Sequence, residues 1–438
     1  MRQKAINIIK TLKEHGFEAY LVGGCVRDTL LNKDVKDYDV TTNATPEQVQ
    51  EIFNCISCGN NFLVSLVDGI EVATFRLDKG DKAVHATSLK EDVIRRDFTI
   101  NGIAYDIDSD SYIDYVCGVK DLNARVLRFI GDPGKRIIED PVRIIRGLRF
   151  MSTLNLTPDY NTHFALLKYR ELVKQVPRER IKDEIIKAFK HNAYRFVMLL
   201  LEYELLQLIF PSVYNLLKVE GGHHHNETVF THCFNALKSI DFPQINYRVK
   251  LAALYHDTGK AQTQVLNEDT NTLSFHGHEK ISHVLAQNDF KALKFSNEDV
   301  AYISNLCLIH MFPFVSETSL FEIRKPRVKK LLVKLKELNI NVKDFLFVRF
   351  SDNHANMLVV RDIKYVKSYY RQILNILKEQ PPFSIKDLEI NGYDVMERGF
   401  TGKAIGAILK LIFDKVLSGS IPNERDVLIQ ELDYLVNI

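Results

Sequence analysis

Over the first 115 positions, apolar residues fall in short runs separated by polar turns. This pattern predicts strands interleaved with short helices. Residues 19–22 read as one strand, 37–41 as a second, 70–77 as a third and 100–106 as a fourth. Thr45 followed by Pro46 is an N-cap with proline at the first helical position, which places 49–53 on a helix. From Asp132 onward the apolar spacing becomes helical, as in 143–151, 180–189 and 194–209. Breaks come at Pro211, Gly221-Gly222, Pro243, Pro313 and Pro381-Pro382. The expected class is α+β: a small mixed head followed by an elongated all-helical neck, body and tail. Neither an internal repeat nor a low-complexity tract interrupts it.

Composition changes this picture only by exclusion. An apolar share of 46% with 26% charged residues is ordinary for a globular chain, which argues against a disordered or fibrous one. No apolar run approaches the roughly 20 residues of a spanning helix, and the first 24 residues are amphipathic without a cleavage site. A cytoplasmic protein without membrane contact is expected. The net charge of +2 names no partner, so affinity for nucleic acid has to come from local basic clusters. Six scattered cysteines imply a reducing compartment and no disulfides. Cys55 and Cys58 have metal-ligand spacing, but the second pair that a zinc site needs is missing.

Candidate chemistry concentrates in the head. Gly23-Gly24-Cys25-Val26-Arg27-Asp28 follows a predicted strand and opens a helix. Paired glycines allow a ligand close to the backbone, and Arg27 can add a bidentate phosphate contact. Thirteen residues after Gly24, Asp37 and Asp39 flank Tyr38, on one face of a strand by period-two geometry. Neighbouring carboxylates repel unless a cation lies between them, and magnesium suits hard oxygen ligands that leave positions for phosphate. Residues 91–101 add Arg95 and Arg96 before an apolar strand, able to hold a triphosphate or to salt-bridge the acidic site. In 139–149, Asp140, Arg143, Arg146 and Arg149 recur every three residues along a predicted helix. An ion-pair ladder is the plain reading. An acid followed by three evenly spaced arginines also offers a planar hydrogen-bonding edge for a nucleobase.

Taken in order, LVGGCVRDTLL, KDYDVTT, EVATFR, IRRDFTIN and EDPVRIIRGLRF resemble the class II tRNA nucleotidyltransferases, the CCA-adding enzymes, whose head bacterial poly(A) polymerases share. The resemblance implies a polymerase-β-like head that adds CCA to the tRNA 3′ end from CTP and ATP without a nucleic-acid template. It implies that Asp37 and Asp39 bind catalytic Mg2+ and that Gly24 and Arg27 contact the triphosphate. Arg96 would lie on the nucleotide, with Asp140, Arg143, Arg146 and Arg149 reading the base. Glu71 is a further candidate carboxylate near the metals. The implied domains are a head (1–135), a helical neck (136–220), an HD domain (221–355) and a tRNA-binding tail (356–438). One departure is the short segment 77–86, where the family carries a longer mobile loop. Enzymes that add only the two cytidines have it shortened, so CC addition stands as an alternative. Poly(A) synthesis is another, although this chain lacks the more basic extended terminus usual there. A phosphohydrolase with a nonpolymerising head and a scaffolding RNA-binding protein complete the alternatives, and the two acidic clusters argue against both.

Further along, His232, His256-Asp257 and Asp352 punctuate apolar helical stretches, whereas His223-His224-His225 reads as a solvated loop. Buried polar groups need partners, and two histidines with two aspartates suit a divalent metal such as Mg, Ni, Co or Mn. This pattern resembles an HD-type phosphohydrolase domain, with 275–279 similar to the segment that follows. The implied activity is on RNA ends or nucleotides. In the tail, the basic stretch 324–336 is either a solvated helix face or a set of phosphate contacts. Residues 389–406 also look like the C-terminal region of the CCA-adding enzymes.

Overall fold

The computed structural model describes residues 1–53, 55–57, 63–79, 82–220, 228–270, 272–315, 323–355 and 363–436. The chain divides into two units, Met1–Ala188 with Arg195–Leu205, and Phe189–Tyr194 with Leu206–Ile438. The His223–His225 triplet and Cys58 lie outside the described residues.

The first unit opens with α1 (Arg2–Glu14), β1 (Ala19–Val22), α2 (Gly24–Leu30), β2 (Asp39–Thr42) and α3 (Pro46–Phe53). Next come β3 (Ile56–Ser57), β4 (Val64–Val67), β5 (Ile70–Thr74) and the hairpin β6 (Arg76–Lys79) and β7 (Lys82–His85). Then follow α4 (Leu89–Ile94), β8 (Ile103–Asp106), β9 (Ser111–Asp114), α5 (Gly118–Asn123), α6 (Pro133–Glu139) and α7 (Val142–Thr153). Helices α8 (Tyr160–Lys168) and α9 (Arg178–Phe189) come next. Seven strands form one sheet in the order β3-β4-β5-β2-β1-β8-β9. Strands β2 and β5 run parallel, while β1 is antiparallel to both β2 and β8.

Alternating burial makes this sheet. In β5, Ile70, Val72 and Thr74 are buried while Glu71 is exposed. Sequence periodicity misplaced several boundaries. The second strand starts at Asp39, not Asp37, because residues 33–38 have no pairing partner in the sheet. The run 70–77 is two strands: β5 ends at Thr74 and Arg76 starts the separate β6–β7 hairpin. Residues 99–101 form a 3-10 turn before β8. Strands β4 and β9 escaped notice; β9 is half exposed, so it shows little apolar alternation.

Helix α7 buries Ile144, Ile145, Leu148 and Met151, and a Cβ at Gly147 would meet the Phe98 ring at 3.3 Å. The small residue lets the helix sit close to Phe98, whose ring lies tilted against Phe129 at 4.5 Å and edge-on to Phe150 at 5.8 Å. Ser88 and Glu91 form a capping box that starts α4, and Asp132 caps α6 ahead of Pro133.

Among the described residues, the regular structure of the second unit is helical apart from the hairpin of Val265–Asn267 with Thr272–Ser274 and two isolated bridges. Its His- and Asp-bearing helices are Val229–Ser239, Tyr247–Tyr255, His278–Ala292, Asn297–Ile309 and Val342–Ala355. The run 194–209 splits into Ala193–Glu202 and Leu206–Ile209. Helix Lys325–Glu337 buries Val328, Leu331, Leu332 and Leu335 and leaves its lysines on the other face. Among the described residues no helix is long and apolar enough to cross a membrane, and no disulfide is formed.

Candidate nucleotide and metal sites

Between β1 and α2 the chain turns at Gly23, whose φ of 77° and ψ of −128° few side-chain-bearing residues adopt. A Cβ there would also approach Arg96 Nη1 at 3.4 Å. The turn aims the start of α2 into a cavity of about 660 Å3. Gly24, Arg27, Asp39, Arg96, Asp140, Arg143, Arg146 and Arg149 all line it, as do Glu71, Asn101, Arg180 and Lys187. Residues separated by more than a hundred positions thus share one strongly basic hollow, in a chain whose net charge is only +2.

Arg27, Arg95, Arg96, Arg143, Arg146, Arg149 and Arg180 are each held by an acid, a carbonyl or an amide oxygen. Asp92, fully buried, accepts from Arg95 Nη2 at 2.7 Å and Arg96 Nη2 at 2.8 Å. Arg27 reaches Asp28 at 2.8 Å and Asn101 Oδ1 at 2.7 Å, and Asn101 Nδ2 donates to Asp97 at 3.0 Å. Asp97 pairs with Arg146 Nε at 2.9 Å. Burial works against the charge on Asp97, yet Arg146 and the bonds from Asn101 and the Phe98 amide hold its carboxyl below the usual range. Arg149 pairs with Glu184 and lies 3.9 Å from the Phe150 ring centroid. Arg143 Nη1 donates to the Arg136 carbonyl at 2.7 Å and to Glu139 at 3.0 Å.

The predicted helical row of Asp140 and the three arginines needs correction. Asp140 has extended backbone between α6 and α7, because Pro141 bars a continuous helix there. It takes a bidentate bond from Arg180 on α9 at 2.8 and 2.9 Å, and Arg143, Arg146 and Arg149 alone form the row.

The acidic pair also differs from expectation. Asp39 lines the cavity, whereas Asp37 is exposed, off the strand and absent from the lining, so the two share no strand face. Glu71 is Asp39's partner in register across β2 and β5. Burial, then Glu71 and Asp37, push the Asp39 carboxyl up, with Arg96 opposing them. That imbalance of negative charge at a half-buried carboxylate is what a divalent cation relieves, so the residues fit a hard metal ion.

In the second unit, His232, His256, Asp257 and Asp352 come together as the sequence suggested. His232 Nε2 lies 3.2 Å from His256 Nε2 and 3.3 Å from Asp352 Oδ1, and Asp257 Oδ2 lies 3.4 Å from His256 and 3.6 Å from His232. Burial disfavours the charged imidazole of His256, but Asp257 and Asp352 outweigh it and raise its pKa to about 10. Two more histidines, His278 and His310, face Asp257 Oδ1 at 3.1 and 3.5 Å. His278 sat in a segment already singled out, but His310 was missed. A signal existed: His310 ends the apolar helix Asn297–Ile309 just as His256 ends Tyr247–Tyr255. Arg180, Glu184 and Lys187 were missed as site residues too, though they recur at helical spacing on α9.

Three segments match family models: residues 19–128 a poly A polymerase head domain, 155–217 a probable RNA and SrmB-binding site of polymerase A, and 229–343 an HD domain. A poly(A) polymerase I from Haemophilus influenzae is 38% identical over 235 residues, covering 48% of this chain and 52% of the relative. The chain therefore spans about half the length of such polymerases. A CCA-adding enzyme from Ligilactobacillus salivarius is 27% identical over 456 residues, covering 99% of this chain and 96% of the relative. The crystal structure of Bacillus stearothermophilus CCA-adding enzyme in complex with CTP matches with a TM-score of 0.69 at 25% identity, covering 99% of this chain and 97% of that one.

Proposed function

We propose that the chain is a class II tRNA nucleotidyltransferase with an HD domain, and that it adds CCA to the tRNA 3′ end from CTP and ATP. The observation that carries this reading is the single cavity joining Asp39, Arg96 and the arginine row of α7. It offers a place for metal, triphosphate and base together. Likeness to a CCA-adding enzyme along 99% of the chain favours this reading over poly(A) synthesis, where the match covers 48% of the chain.

In the proposed reaction the ribose 3′-oxygen bonds to the α-phosphorus as the bond to pyrophosphate breaks. Asp39 would hold the metal, with Glu71 beside it and Asp37 contributing its nearby charge. Family membership implies a divalent metal; we assign it as Mg2+. When bound, such an ion readies the hydroxyl and offsets charge on the leaving pyrophosphate. Arg27 and Arg96 neutralise the triphosphate, and the backbone at Gly24 lies close to it. Asp140, Arg143, Arg146 and Arg149 read the base edge, their orientation set by Arg180, Glu139, Asp97 and Glu184. Preset arginines lose less freedom on binding than loose ones.

Incubating the protein with tRNA lacking its 3′ end, CTP and ATP tests this. Three added nucleotides are expected; ATP-only tailing of unrelated RNA would point to a poly(A) polymerase. The β6–β7 hairpin, with only two residues between its strands, favours a second reading: addition of two cytidines alone. Two added nucleotides would support it. The cytoplasm is the compartment where such a substrate is found.

His232, His256, Asp257 and Asp352 would hold a divalent metal (Mg, Ni, Co or Mn) for phosphohydrolysis of RNA ends or nucleotides. A 2′,3′-cyclic phosphate assay with each metal, using His256→Ala as control, tests it; equal turnover by both proteins would remove it.

A further inference from the structure

We propose that Phe150 is a positioning residue of the head cavity, its ring gathering Arg27, Arg146 and Arg149 into one array that joins the triphosphate end of the nucleotide to the base end. This rests on the nucleotidyltransferase reading of the cavity and names what holds its arginines together.

Three guanidinium groups converge on this ring. Arg149 Cζ lies 3.9 Å from its centroid, Arg27 Cζ 5.1 Å and Arg146 Cζ 5.8 Å, all inside the roughly 6 Å over which an aromatic face attracts a cation. Arg146 and Phe150 stand one helical turn apart on α7 and share a side of it, whereas Arg27 comes from α2. Each arginine has its own acid: Asp28 for Arg27, Asp97 for Arg146 and Glu184 for Arg149. The Phe150 ring is a neighbour that all three have in common.

Such an array repels itself. Burial, and after it the like charges of Arg146 and Arg27, push the pKa of Arg149 down, against the pull of Glu184. A carboxylate at this position would relieve the repulsion, but it would also cancel positive charge in the cavity and repel a triphosphate. An aromatic ring attracts each guanidinium through its negative face while carrying no net charge. The cavity keeps its positive potential for the anion, and its donors are gathered beforehand.

The ring is itself fixed. It meets Phe98 edge-on at 5.8 Å, and Phe98 lies against Phe129 at 4.5 Å. Phe150 lines the cavity yet is only 3% exposed, too little to stack on a base. Its effect on the nucleotide therefore runs through the arginines. Because one ring contacts arginines of both ends, triphosphate grip and base reading respond together.

The test replaces Phe150 in the full chain with phenylalanines bearing one, two and three ring fluorines, introduced at an amber codon. Fluorine drains the negative face stepwise while hardly changing ring size, so packing stays and the attraction fades. Calorimetry with Mg2+ present measures CTP affinity, and incorporation into tRNA lacking its 3′ end measures preference for CTP over UTP. Affinity should fall stepwise, by roughly tenfold over the series, with the preference narrowing in parallel and melting midpoints unchanged. Phe150→Leu, which keeps an apolar side chain without a π face, should bind CTP as weakly as the trifluorinated protein. In a parent that extends the tRNA, flat affinity or flat preference across the series overturns the role of Phe150 and leaves the nucleotidyltransferase reading standing. A parent that neither binds CTP nor extends tRNA overturns that reading, and the positioning role with it.

Discussion

Asp39 and Glu71 are partners in register across the parallel strands β2 and β5, thirty-two residues of separation in sequence reduced to one interstrand step. Glu71 is among the causes that raise the Asp39 carboxyl. The proposed chemistry needs both groups on a bound cation, with unequal weight. Asp39→Asn should fold normally and lose nucleotide incorporation by about 10³-fold or more, roughly 4 kcal/mol of transition-state stabilisation. Glu71→Gln should lose less. Single-turnover incorporation with unchanged circular dichroism checks both, and full activity in Asp39→Asn would remove the site assignment.

Arg146 is oriented by Asp97, and its fork is what a base edge requires. Arg146→Lys keeps the charge but removes the planar pair of donors. It should weaken discrimination between CTP or ATP and the other nucleotides by about 1–3 kcal/mol, the worth of one bidentate base contact. Competition kinetics with all four triphosphates measure this. Unaltered selectivity would mean that Arg146 holds phosphate or structure instead.

The buried acid Asp97 also links stability to pH. Its folded pKa lies below its unfolded value of about 3.9, so the Asp97–Arg146 contribution is complete above roughly pH 4. It is lost as pH falls from there through the lowered folded pKa. Asp97→Asn should flatten the acid side of the stability profile and cost about 3 kcal/mol at neutral pH, because Arg146 is left unpaired. Calorimetric melting midpoints at neutral and acid pH would show it; parallel profiles for the two proteins would not fit.

Gly259 follows the His256-Asp257-Thr258 turn, and a Cβ there would come within 2.2 Å of the His278 carbonyl and 2.7 Å of the Ser282 amide. Neither backbone atom can swing aside. Gly259→Ala should therefore destabilise the second unit by about 1–3 kcal/mol or more and displace His278. Lower metal retention together with a lower melting midpoint is the expected result.

The amphipathic helices and the glycine turn before α2 were legible because their causes are local. Pro46 and Gly23 set backbone angles by themselves, and the apolar stripe of α7 follows from spacing within one helix. The candidate residues Gly24, Arg27, Asp39, Arg96 and the arginines of α7 were legible as short motifs, although nothing in those motifs said that they share one cavity. The interpretation failed where the cause was distant. Asp37 fell off the strand because pairing with β5 begins at Asp39 and pairing with β1 at Val40, and Asp140 found its partner forty residues away on α9. His310 joined His278 only when separate helices packed around Asp257. Periodicity records what a residue does within its own element. Which carboxylate meets which arginine, and which imidazoles crowd one aspartate, depends on packing between elements, and that was decided by the tertiary structure alone.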